Sequence, residues 1–182
     1  MSSLVINGDT SGSITLAAPA VAGSNTLTLP TLTGTVLTNK TPGSVLQVVN
    51  SVYTTATSTS STSFATTGHS GSITPSSSTS KILVLVNGAA VWNNNIVNKN
   101  ANLTIYRNGA NIASDSLCNL YCNAFFTSSI TIAYLDSPAS TSSVTYTVYF
   151  KCESGATITY VFQPGGTSAV IPASMTLMEI AA

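Results

Sequence analysis

Leu103-Thr104-Ile105-Tyr106-Arg107-Asn108-Gly109-Ala110-Asn111-Ile112 is the stretch on which the fold turns. Asn-Gly accommodates positive φ at both central positions of a type I′ turn, and β-branched and aromatic residues flank it. The stretch therefore predicts a tight two-residue β-hairpin. Working outward, strand-like runs recur in Val45–Val49, Phe126–Leu135, Val144–Phe150, Ala156–Phe162 and Met175–Ile180, and the apolar Lys81–Val86 is the best candidate for a central strand. Ala89–Trp92 is expected to continue the Lys81 strand after a bend at Asn87-Gly88. No window sustains the i, i+3, i+4, i+7 pattern of a helix, and two Glu and two Gln are poor material for one. The chain is all-β. About eight strands separated by Gly, Pro, Ser and Asn predict a jelly-roll-like β-sandwich over residues 43–182.

Residues 1–42 read differently. Leu4-Val5-Ile6, Ser13-Ile14-Thr15-Leu16, Thr26-Leu27-Thr28-Leu29 and Thr35-Val36-Leu37-Thr38 are short strand-like pieces cut by turn residues. Each offers one narrow apolar face, and so little apolar surface cannot offset the chain entropy of some forty residues. This extended N-terminal β segment is expected to pack on the following domain, on copies of itself or on a different partner, each of which makes it an assembly element. Asn39–Gly43 is the expected junction. The Ser/Thr-rich tract Thr54–Ser63 fits disorder, an edge strand or an exposed hairpin.

Charge narrows the function. Only ten of 182 residues are Asp, Glu, Lys or Arg, 5% against the roughly 25% usual in soluble domains, and the net charge is zero. Serine and threonine, 28 of each, take their place. No basic patch is available for phosphates, which argues against nucleic acid. The longest apolar run, Ile82–Val86, is far short of the ~20 residues of a membrane span. The first residues lack the basic start and apolar core of a signal peptide, so synthesis in a host cytoplasm is expected. Cys118, Cys122 and Cys152 are odd in number and carry no metal spacing. They read as buried or inert thiols, with a Cys118–Cys152 or Cys122–Cys152 bridge open to an oxidising medium.

Candidate sites are few. His69, the only histidine, lies in Thr67-Gly68-His69-Ser70-Gly71 and reads as a surface-loop residue, with no nucleophile elbow nearby. Asp9, Asp115, Asp136, Glu153 and Glu179 are scattered singly, without a calcium loop or the paired carboxylates of a glycosidase. No catalytic residue, metal ligand or cofactor motif follows. Trp92-Asn93-Asn94-Asn95, Tyr121 and Phe125 read most simply as core aromatics beside a polar loop. Aromatics flanked by amides are also suited to stack on and hydrogen-bond a sugar, so these are the candidate glycan contacts. Lys99 and Arg107 read as solvated, with Arg107 and Asn108 at a hairpin tip as a second candidate contact.

The strings Gly12-Ser13-Ile14-Thr15-Leu16-Ala17-Ala18-Pro19, Asn25-Thr26-Leu27-Thr28-Leu29-Pro30 and Gly34-Thr35-Val36-Leu37-Thr38 resemble the N-terminal segment of tail-fibre-like proteins of tailed bacteriophages. Ser72–Val84, Leu103–Ile112 and Met175–Ile180 resemble β-sandwich domains of the same virion proteins. The resemblance implies a non-enzymatic homotrimer located in the virion, without a cofactor. Residues 1–42 would engage a tail protein or the major capsid protein, and the fibre form would bind a host-surface glycan. The chain departs from the family in size, being short for a tail fibre. A capsid decoration (cement) protein, clamping neighbouring capsid subunits through its N-terminal segment, is the alternative.

Overall fold

The computed structural model describes residues 3–7, 9–17, 41–92, 98–122, 126–161 and 171–182. All regular structure in them is antiparallel β. The chain divides into two compact units, Met1–Val36 and Leu37–Ala182.

In the first unit, β1 (Ser3–Asn7) and β2 (Ser13–Ala17) pair from Ser3↔Ala17 to Asn7↔Ser13. Gly12, at φ 80, serves their connection. Among the described residues of this unit the two-stranded ribbon has no second layer to bury its faces. Leu4, Val5, Ile6, Ile14 and Leu16 are accordingly 50–67% exposed. The strand-like pieces expected at Thr26–Leu29 and Thr35–Thr38 lie outside the described residues.

The second unit is built on β6 (Lys81–Trp92). One edge of β6 pairs along its length with β10 (Phe126–Asp136), from Trp92↔Phe126 to Ile82↔Asp136. Its other edge is shared end to end. β13 (Ala173–Ile180) takes Lys81–Asn87 and β12 (Ile158–Tyr160) takes Ala90–Trp92. Beyond them β3 (Val45–Tyr53) pairs β13, and β4 (Thr57–Thr59) pairs β12. The second sheet runs β5 (Ala65–Ile73), β11 (Val144–Cys152), β7 (Lys99–Arg107). The outer edge of β7 is divided between β8 (Ala110–Asn111) and β9 (Cys118–Cys122). The strand orders are thus β3-β13-β6-β10 and β5-β11-β7-β9.

The inner faces of the two sheets form one core. Ile82, Val84 and Val86, Met175 and Leu177, and Ile130 and Ile132 come from the first sheet. Leu103 and Ile105, with Val144, Tyr146, Val148, Phe150 and Cys152, come from the second. The strict alternation of β11, every second residue buried, is the pattern of a sheet with one dry face.

The expected turn is present: Arg107 pairs Ala110 across Asn108 (φ 49) and Gly109 (φ 85). The Ser/Thr tract supplies β4, an edge strand. Two expectations need correction. First, β6 runs unbroken through Asn87-Gly88. A Cβ on Gly88 would lie 2.8 Å from that of Ala173, so this glycine serves close strand packing. Second, His69 is in β5 and fully buried. Between Thr147↔Ser70 and Tyr149↔Thr66, residues 67–69 oppose Val148 alone, a β-bulge. Gly68 takes φ 85 within it, and the Thr67 hydroxyl donates to the Val148 carbonyl (2.9 Å). This geometry turns Thr67 and His69 inward.

Candidate functional site

Register sorts the predicted contacts to opposite ends of the sandwich. Trp92 pairs with Phe126 and Ile158, and Lys99 pairs with Cys122. The strands flanking residues 93–97 and 123–125 therefore end together. Asn93, Asn94, Asn95 and Phe125 themselves lie outside the described residues. Tyr121, at this end, is 59% exposed and donates its hydroxyl to Asn98 Oδ1 (3.0 Å). Arg107 and Asn108 lie at the other end, about 23 Å along β7 from Asn100, the partner of Tyr121. That second end is also where the chain enters and leaves the unit. Gly43 N donates to Ala181 O (2.7 Å), and Ala181 N donates to Ser44 O (2.9 Å).

Arg107 is bound within the protein, contrary to the expectation of a solvated side chain. Its Nη1 donates to both oxygens of Asp136 (2.8 Å each), and Tyr146 donates its hydroxyl to Asp136 Oδ2 (2.7 Å). Burial raises the Tyr146 pKa. The hydrogen bond to Asp136 and that carboxylate's charge add to the rise, and Arg107 opposes it. The cluster ties β7 and β11 to β10 across the two sheets. Asn108 is likewise engaged: its side-chain oxygen accepts from Thr145 N (2.9 Å).

His69 occupies a second cluster between the sheets. Nδ1 lies 2.7 Å from the Tyr160 hydroxyl and Nε2 lies 3.4 Å from the Ser51 carbonyl. Its ring stacks on Tyr53 at 5.4 Å, and Tyr53 donates to the Thr67 carbonyl (2.7 Å). Burial lowers the His69 pKa, opposed by the Ser51 hydrogen bond. Burial raises that of Tyr160, with Tyr53 adding to the rise. A neutral imidazole carrying its proton on Nε2 satisfies both contacts, accepting from Tyr160 and donating to Ser51.

Glu179 is a buried carboxylate that pairs with no cation among the described residues. Oε1 accepts from Ser76 N and Oγ (2.7 Å each), and Oε2 accepts from Gln47 Nε2 (2.6 Å). Burial pushes its pKa up. Hydrogen bonds from Gln47 and Ser76 outweigh that and hold it at about 2. The arrangement pins the Ser76–Ser80 connection to the last strand. Asp115 pairs with Lys151 (3.0 Å), whose Nζ also stands 4.3 Å from the Phe64 ring centre. Cys118 and Cys152 are free thiols whose pKa values burial raises. Among the described residues no three His, Cys, Asp or Glu gather as a metal site, and no helix is long and apolar enough to cross a membrane.

Sequence reasoning missed these partners because they are distant in the chain. Gln47 and Glu179, for example, are 132 residues apart. The placement of His69 did leave a trace: Thr67, His69, Gly71 and Ile73 alternate with Gly68, Ser70 and Ser72.

No family model matches the sequence, and no curated protein matches it. Among solved structures the chain is similar to one described as "Structure of infectious bursal disease virus Gx strain", at 13% identity and a TM-score of 0.38. The alignment covers 98% of this chain and 46% of the other, so this chain spans about half the length of its neighbour.

Proposed function

We propose that the chain is a non-enzymatic virion structural protein of a tailed bacteriophage, a short homotrimer of the tail-fibre type. Residues 1–42 attach it to the particle or intertwine within it, and residues 43–182 form a jelly-roll head. The reading rests on one observation above others. The β1–β2 ribbon leaves Leu4, Val5, Ile6, Ile14 and Leu16 half or more exposed, a surface suited to burial against another protein. The strand orders β3-β13-β6-β10 and β5-β11-β7-β9, with the chain crossing repeatedly between sheets, support a jelly-roll reading. The single histidine faces Tyr160 and Ser51 in the core, a structural use rather than a catalytic one.

Polarity supports the fibre form. The chain enters the head beside Ala181, whereas Trp92 and Tyr121 stand at the opposite end. In the fibre form the Trp92–Tyr121 end is the one that meets a host-surface glycan. Stoichiometry in purified particles tests the assignment. A few copies, located at the tail, are expected. Copies equal in number to the capsid lattice sites assign the chain to decoration instead, and absence from the particle overturns both.

A further inference from the structure

The run Ile82-Leu83-Val84-Leu85-Val86 is apolar at every position, yet only Ile82, Val84 and Val86 reach the core. Leu83 and Leu85 stand on the outer face of the sheet. An antiparallel sheet with one wet face alternates apolar and polar residues, whereas a continuous apolar run marks a strand covered on both sides. Register carries this feature across the whole sheet. Leu83 pairs with Met178 on one side and Leu135 on the other, and Met178 pairs with Val48. Four apolar side chains thus form one row from edge to edge, with Val48 and Leu135 56% and 50% exposed. The neighbouring row holds Leu85 and Ala133 beside Asn50 and Thr176. Among the described residues of this face, Lys81 at its end carries the only charge.

We propose that this outer face is where copies of the chain meet, with the row Val48–Met178–Leu83–Leu135 lining the axis of the homotrimer. The inference rests on the trimeric reading above and specifies its surface. Charge selects the occupant. A partner rich in ions would lose their hydration against a face that offers no counter-charge, whereas a second copy brings the same apolar and hydroxyl groups. The trimeric reading supplies the symmetry. The row is one residue deep along the strands and four strands wide, a line about 14 Å long from Val48 to Leu135. Around an axis each copy contributes the same line. The face measures about 20 Å by 20 Å, roughly half the footprint of a standard interface. Association through it is therefore expected to reverse on dilution.

Light scattering on the full chain over a dilution series tests this. Wild type is expected at three times 18.6 kDa when concentrated, falling towards 18.6 kDa when dilute. Leu83→Lys should raise the concentration needed for half-assembly at least tenfold. Ser70→Lys, exposed on the other sheet, should leave it unchanged. Circular dichroism establishes that each variant is folded. Should Leu83→Lys fail to fold, Val48→Lys, at an exposed edge position, carries the same expectation. Folded Leu83→Lys or Val48→Lys chains that trimerise like wild type overturn the surface and leave the trimer standing. Wild type at 18.6 kDa throughout removes the trimer and this inference together, and a two-copy mass overturns the three-fold arrangement.

Discussion

His69 joins the sheets through one ring, with β5 supplying the imidazole and β12 and β3 supplying Tyr160 and Ser51. Its folded pKa lies below the ordinary value of 6.5, because burial disfavours the cation. Above pH 6.5 the ring is neutral whether the chain is folded or unfolded, and it gives stability no pH dependence. Below 6.5 the unfolded chain takes up a proton that the folded one resists. Stability should therefore fall as pH drops from 6.5 towards the depressed folded value, by at most about 1.4 kcal/mol per pH unit. Glu179 acts in a lower window. Its folded pKa of about 2 stabilises the protein above 4.5, and that contribution is lost between 4.5 and 2. Urea unfolding from pH 7 to 5 should show a slope that His69→Gln abolishes, and a slope retained in the variant would contradict the assignment to His69. The inward turn of this histidine depends on Gly68, whose φ of 85 sets the bulge. The sequence marks the inward face only through the alternation of Thr67, His69, Gly71 and Ile73 with Gly68, Ser70 and Ser72, in which His69 is no more apolar than its surroundings.

Among the elements, the β7–β8 hairpin was the most legible, because Asn108-Gly109 specifies its turn locally. β10, β11 and β13 were legible from alternation, and β6 from its continuous apolar run. β5 and β9 were not. Ala65–Ile73 turns Thr, His and Gly inward in place of aliphatic residues, and Cys118–Cys122 is a five-residue edge strand without a β-branched residue. The candidate site fared worse, since Arg107 at the hairpin base looked free and is held by Asp136, 29 residues on. The Arg107–Asp136–Tyr146 cluster joins three strands by hydrogen bonds from charged or buried groups. Asp136→Ala strands a guanidinium and a buried hydroxyl, and should cost about 3 kcal/mol in urea unfolding. A loss under 1 kcal/mol would show that water replaces the carboxylate.

For the molecule as a whole, composition announced β structure, but could not order the strands, because pairing is decided by contacts across the chain. Two compact units imply separable duties. Deleting residues 1–36 should leave the calorimetric melting temperature of the rest unchanged while abolishing incorporation into particles. A large fall in that temperature would mean that the first unit stabilises the second. The position of β13 has a further consequence, in the order of synthesis. It sits between β3 and β6, both made long before it. Until residues 173–180 leave the ribosome, two strands wait with unpaired edges, open to pairing with neighbouring nascent chains. The sandwich closes only when residues 173–180 arrive, so its folding is expected to be slow.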